Sequence, residues 1–143
     1  MPDGSLTLSV PRPPAEAFAY VADFERAPEW IPELTKVEKL TPGEIGVGTR
    51  FTQLVSLAGS EVEILVEVKE FDPPRVYAYE GDGGPAHFRA SFTFEADGVG
   101  TRIRHDYDVT LGGALKLMGP VVGGWIKRNT ETAIENLKRR LSE

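Results

Sequence analysis

The chain contains no cysteine. Disulfides, thiolate nucleophiles and Cys-ligated zinc or iron–sulfur centres are therefore excluded. Histidine is also scarce. His87 and His105 are the only two, too few for a His-rich metal site, and no Asp/Glu loop has the spacing of a Mg²⁺ or Ca²⁺ site. No metal and no cofactor are expected. No apolar run approaches the roughly 18 residues of a membrane-spanning helix. The opening Met1-Pro2-Asp3-Gly4-Ser5 has neither the basic nor the apolar region of a secretion signal. Positive charge is in deficit, with 16 Lys+Arg against 22 Asp+Glu and a net charge of −6. That balance disfavours a nucleic-acid partner, whose phosphates are held mainly by a basic surface. The expectation is a cytoplasmic chain without nucleic acid or integral membrane segment, either monomer or homodimer. Its 143 residues make one domain, 1–143, long enough to bury a core without staples.

What is present is patterned hydrophobicity. Leu6 to Val10 alternates apolar and polar residues, the period of a half-buried strand. Pro11-Arg12-Pro13-Pro14 ends it and suits the first turn of a helix. That helix carries Ala17, Phe18, Val21 and Ala22 on one face, and a short proline-bounded helical segment, Arg26 to Pro32, follows. Strands are predicted over Thr35–Leu40, Thr49–Leu57, Glu61–Lys69, Val76–Glu80, His87–Phe94 and Thr101–Leu111. Among them, Val62, Ile64, Val66 and Val68 alternating with charged residues give the clearest signal. Gly81 to Pro85 reads as a flexible hairpin loop. Gly46-Val47-Gly48 lacks a third glycine and precedes a strand, so it reads as a turn rather than a phosphate loop. From Ala114 to Leu141 the period becomes helical, interrupted by Gly119-Pro120 and Gly123-Gly124, and Lys138-Arg139-Arg140 suits the helix C-terminus.

Strand, two short helices, six strands and a long helix imply an α+β fold. Short connections make the sheet antiparallel, and one apolar face per strand gives it one buried side. Seven strands at about 4.8 Å span more than 30 Å, whereas a helix is about 10–12 Å across. One helix cannot fill a curved sheet of that width. The space left between them is where a small molecule would sit.

In this order the local residues resemble the helix-grip fold of the START and Bet v 1-like (SRPBCC) superfamily, in particular its polyketide cyclase/dehydrase and lipid transport branch. The resemblance is carried by Val10-Pro11 through Phe18, Asp23-Phe24-Glu25-Arg26-Ala27-Pro28-Glu29-Trp30, Gly46-Val47-Gly48-Thr49-Arg50-Phe51, Glu70-Phe71-Asp72-Pro73-Pro74-Arg75, Gly100-Thr101-Arg102-Ile103 and Asn136 through Leu141. It implies a seven-stranded curved antiparallel sheet wrapped around a long C-terminal helix, with two short helices after the first strand. It supplies no shared catalytic motif, and a fold hosts many functions.

His105 and Tyr107 share a face with Ile103 and Val109. They are either core residues or polar tips that orient a ligand oxygen or move a proton. Glu80 lies on a face with Val76 and Ala78 that the resemblance turns inward, as a possible acid or base, or sits in water at the strand end. These three are the catalytic candidates. Trp30 is read as a packing anchor in preference to a stacking platform. The predicted ligand-binding set is Phe51, Gln53, Val66, Ala78, Glu80, Phe88, Phe92, His105, Tyr107, Met118, Val122, Trp125 and Asn129. Gly112 to Gly124 is either a movable lid or a bent helix start. The leading expectation is a binder of a small hydrophobic or aromatic molecule, lipid or polyketide-like. The alternatives are a cyclase or dehydrase, or an accessory module docking through Val121, Val122 and Trp125.

Overall fold

The computed structural model describes residues 3–57, 60–84 and 86–143, with backbone alone at 57, 60, 114 and 115. The strands are β1 (Gly4–Val10), β2 (Leu34–Lys39), β3 (Arg50–Leu57), β4 (Ser60–Asp72), β5 (Val76–Gly83), β6 (Ala86–Asp97) and β7 (Gly100–Leu111). Helix α1 (Pro14–Ala22) and a 3₁₀ helix (Phe24–Glu29) lie between β1 and β2, and α2 (Ala114–Leu117) and α3 (Gly119–Ser142) close the chain. The strands form one antiparallel sheet in the order β1-β7-β6-β5-β4-β3-β2. Consecutive hairpins build β2 through β7, and β1 joins on the far side of β7. This is the helix-grip arrangement, an open sheet with a long C-terminal helix.

The alternation read from the sequence locates the buried face on most strands. Phe51, Gln53 and Val55 of β3 are buried, as are Ile64, Val66 and Val68 of β4, Ala90, Phe92 and Phe94 of β6, and Ile103 and His105 of β7. A register shift between Val68 and Glu70 leaves both Lys69 and Glu70 exposed. It returns Phe71 to the inner face, where it meets Phe18 edge-on at 5.4 Å.

Strand β5 departs from expectation. Its inner face carries Tyr77 and Tyr79, so Ala78 and Glu80 belong to the outer one. Both alternations of Val76-Tyr77-Ala78-Tyr79-Glu80 contain apolar groups. The tyrosine rings bury far more area than valine and alanine, and turning the other face inward would strand a carboxylate. The glycines predicted as a loop also behave differently. Gly81 and Gly83 continue β5, paired with Phe88 and Ala86. A Cβ on Gly81 would stand 2.3 Å from the Phe88 ring, so that ring lies over the glycine. Pro85 and the side chain of Leu115, also part of the sequence reading, lie outside the described residues.

The C-terminal helix is broken where the proline predicts. Pro120 occupies the first turn of α3 with Met118 as its N-cap, and α2 is a separate single turn. The far half of α3 buries Ala133, Ile134, Leu137 and Leu141 against the core.

Candidate functional site

The inner face has two ends. Under α1, Phe18 meets Phe71, Tyr77 and Phe94 edge-on at 5.4, 6.3 and 5.2 Å, and Phe24 packs on Phe51 at 4.9 Å. These rings pack closely on one another, although Phe18, Phe24, Phe51 and Phe71 also border a cleft that opens outward beside α1. At the other end, between the sheet and the first half of α3, a cavity of about 200 Å³ remains. That is roughly seven times the ~30 Å³ share of a water molecule, and below the usual ~300–1,000 Å³ of drug-sized pockets.

Strands β6 and β7 supply one wall. Cross-strand neighbours Phe92 and His105 stack at 4.3 Å, and His105 and Tyr107 at 5.8 Å. Tyr107 leans over Gly4 of β1, where a Cβ would lie 2.2 Å from the ring. The two glycines, Gly4 and Gly81, thus leave room for the two aromatic walls Tyr107 and Phe88. The helix wall is Val122, Trp125, Ile126, Thr130, Ala133 and Ile134. Gln53, Val55, Val62, Ile64 and Tyr79 come from β3 to β5, while Trp30, Ile31, Glu33 and Leu34 close the end behind the 3₁₀ helix.

His105 is nearly inaccessible, and its Nδ1 lies 3.2 Å from the carbonyl oxygen of Ser91. A carbonyl only accepts, so the proton is on Nδ1 and Nε2 carries a lone pair. Burial lowers the His105 pKa to about 4, against a smaller opposing effect of the Ser91 contact. The ring is therefore neutral at physiological pH. Burial raises the pKa of Tyr79, with a contribution from the charge of Glu33, and burial also raises that of Tyr107.

Two polar atoms of the cavity wall are buried without a partner: Nε1 of Trp30 and Oε2 of Glu33. Trp30 is held in place by Phe92, edge-on at 6.1 Å, and by Asn136, whose Nδ2 donates to the Trp30 carbonyl at 3.2 Å. The Glu33 carbonyl is pinned by the Ser56 N–H at 2.8 Å. Burial raises the Glu33 pKa, although a hydrogen bond from its own backbone N–H works the other way. Such orphan groups each cost about 1–3 kcal/mol when desolvated.

Seven of the thirteen ligand-binding candidates line this cavity: Gln53, Phe88, Phe92, His105, Tyr107, Val122 and Trp125. Phe51 and Val66 face inward but one cross-strand pair too far along, at the filled end of the sheet. Ala78 is buried away from the cavity. Glu80 is on the outer face, bound to His87 at 3.2 Å and Arg89 at 3.4 Å, with Arg89 also reaching Glu70 at 2.9 Å. Met118 caps α3 and is 52% exposed. Asn129 is half-buried beside the lining stripe, where Thr130 takes the place expected for it. Val121 is 68% exposed, whereas Val122 and Trp125 of the same expected patch turn toward the cavity. Sequence reasoning missed Glu33 and Tyr79, and preferred packing to ligand stacking for Trp30, which lines the cavity. The available signal for Glu33 was an acid set between Ile31-Pro32 and Leu34, a polar residue inside an apolar run.

A second cleft, of about 590 Å³, opens between α1 and the loops before β3 and β5; its lining includes Phe18, Ala22, Phe24, Ile45 and Pro73, and also Phe51, one of the ligand-binding candidates. Neither orphan polar atom of the cavity faces it. Among the described residues, no group of three or more His, Asp or Glu side chains could hold a metal ion, and no helix is long and apolar enough to cross a membrane.

Residues 1–142 match the family described as polyketide cyclase / dehydrase and lipid transport. A comparison of the sequence with curated proteins finds no match. Among solved structures, a START superfamily protein from Mycobacterium smegmatis superposes with a TM-score of 0.80 at 20% identity, over 96% of this chain and 95% of that one. A protein from Thermus thermophilus does so with a TM-score of 0.80 at 20% identity, over 96% and 94%. The Zhui aromatase/cyclase from Streptomyces sp. R1128 reaches a TM-score of 0.76 at 17% identity, over 96% and 92%. At such identities the likenesses establish the fold and not the chemistry.

Proposed function

Since the chain belongs to the polyketide cyclase / dehydrase and lipid transport family, we propose that it binds one small, largely apolar or aromatic molecule in the cavity between the sheet and α3. The observation that carries this reading is the pair of orphan polar atoms in an otherwise apolar hollow, Trp30 Nε1 and Glu33 Oε2. Trp30 and Glu33 stand three residues apart in the chain, and both border the cavity, unlike Tyr77 Oη, the orphan hydroxyl of the packed end. A guest with one acceptor and one donor satisfies both. Burying its apolar body contributes about 25 cal/mol per Å² of area, and the polar tips of Gln53, His105 and Tyr107 set its orientation.

The test is native mass spectrometry of the protein as purified, followed by extraction of any bound molecule. A co-purifying small molecule, released by blocking the cavity with Ala90→Trp, supports the reading. A guest that survives that substitution unchanged removes it. In solution, Tyr107→Phe should weaken binding of the recovered molecule about three- to tenfold, the worth of one hydrogen bond, with little change in Tm.

Catalysis is a second reading, favoured by one observation: the Ser91 carbonyl engages Nδ1 of His105 and leaves Nε2 as the free ring nitrogen, the arrangement a general base requires. Tyr107, stacked against it, is the adjacent donor. Glu80 has no part in this scheme, because it faces away. Turnover of the recovered molecule by the parent chain and its loss in His105→Gln would establish an enzyme; tight binding with no turnover would leave a carrier.

A further inference from the structure

The charges of the cavity wall are one-sided. Among the described residues that line it there is no lysine or arginine, and Glu33 is the single carboxylate. His105 adds no positive charge, since its ring is neutral and its Nδ1–H is given to Ser91. Glu33 has no counterion inside: its Oε2 is buried with no partner, and its backbone is fixed by Ser56. Around it the wall is built from six rings: Trp30, Tyr79, Phe88, Phe92, Tyr107 and Trp125. A cation is attracted to the face of an aromatic ring, and a carboxylate forms its strongest hydrogen bonds with a charged donor. An anionic head, by contrast, would be buried beside a like charge with no cationic partner, at heavy desolvation cost.

Resting on the binding reading above, we propose that the cavity selects an organic cation, a small aromatic or alicyclic amine whose ammonium group meets Glu33, and discriminates against carboxylates of the same size and shape. The reading narrows the ligand class: fatty acids and other anionic lipids are excluded, and amine-bearing or neutral hydroxylated compounds remain. Of these, the amine meets the Glu33 oxygen with charge, and the Trp30 N–H is satisfied only where the guest carries an ether, carbonyl or hydroxyl oxygen as well. The occupied site also removes the electrostatic penalty that Glu33 carries alone, so binding should stabilise the protein beyond what apolar contact explains.

Three size-matched probes test it: 2-naphthylmethylamine, 2-naphthylmethanol and 2-naphthoic acid, titrated calorimetrically into the intact chain at pH 7. The expected order is amine, alcohol, acid, with at least about tenfold between the first two and no detectable binding of the acid. In Glu33→Gln the gap between amine and alcohol should close, and an unchanged near-ultraviolet circular dichroism spectrum reports that the aromatic wall is intact. If the alcohol binds and the amine binds no better, or if Glu33→Gln leaves the amine advantage in place, the cation proposal is overturned and the cavity reading survives. If none of the three binds the parent chain, both fall.

Discussion

The same sheet meets two helices with opposite results. Under α1 its inner face is packed by rings, with Phe18, Phe71, Tyr77 and Phe94 interlocked edge-to-face, and the space left there is a cleft that opens outward. Under the first half of α3 the face stays hollow, and its residues end in polar tips, Gln53, Tyr79, His105 and Tyr107. The strands supplying both ends are continuous. On β7, Ile103 is fully buried in the core, His105 stands at the border, and Tyr107 is half-buried in the cavity wall. On β5, Tyr77 belongs to the filled end and Tyr79 to the cavity. The difference lies in the helices. Helix α1 offers Phe18 as a large plug, while the first half of α3 carries Gly123 and Gly124 and a proline-set first turn, and buries no side chain fully until Ala133. Three large inward residues in the first half of one helix, Val122, Trp125 and Ile126, line the space without spanning a wide sheet, so stability and binding come to occupy different ends of one layer.

That contrast can be broken most sharply by truncation. Phe18→Ala removes the plug of the filled end and should cost about 3–5 kcal/mol in urea unfolding. Trp125→Ala, at the half-buried cavity wall, should cost about 1–2 kcal/mol; equal costs would mean the two ends are packed alike. The next effect is one of pH. His105 binds a proton in the unfolded chain below about 6.5 but in the folded chain only near 4. The unfolded state therefore holds more protons across that window, and stability is lost as pH falls through it, by about 3 kcal/mol in all. His105→Phe should flatten that part of the stability–pH curve; an unchanged slope would place the imidazole in water.

Glu33 has the opposite sign. Its folded pKa is raised above 4.5, so the protein is penalised as pH rises past that value and the carboxyl ionises while buried. Glu33→Gln should raise Tm at pH 7 relative to the parent, by less than the histidine effect, and change little at pH 4. A lowered Tm at pH 7 would show that the carboxylate is paired. Smallest of all is Glu80→Gln on the outer face. Its contacts with His87 and Arg89 are solvent-exposed, and loss of such a pair costs at most about 1 kcal/mol, with no effect on cavity binding by calorimetry.

Element order, strand polarity and the inner faces of β3, β4, β6 and β7 were all legible, because period-two alternation needs only local residues. The face of β5 was not legible: Val76-Tyr77-Ala78-Tyr79-Glu80 satisfies either choice locally, and the sheet as a whole selects the tyrosines. Along the correctly assigned faces, the position of the hollow could not be read either. Phe51 and Gln53 are two residues apart on one face, yet the first packs on Phe24 and the second lines the cavity. Asn129 and Thr130 differ by about 100° around the helix, and only the seating of α3 decides which one lines the cavity.

The sequence by itself determined the α+β pattern, the single apolar side of the sheet and the insufficiency of one long helix to cover it, since composition and periodicity fix how much apolar surface each element must bury. Tertiary structure alone decided where the uncovered part lies and which polar atoms border it. Glu33 and Trp30 sit near the chain's proline-bounded turn and reach the same hollow as His105, far away in sequence, only because the segment leading into edge strand β2 and the first half of α3 border one cavity on the inner face of the sheet. Orphaned groups become visible when every neighbour is in place, for a hydrogen bond left unmade is a property of the packing and not of the residue.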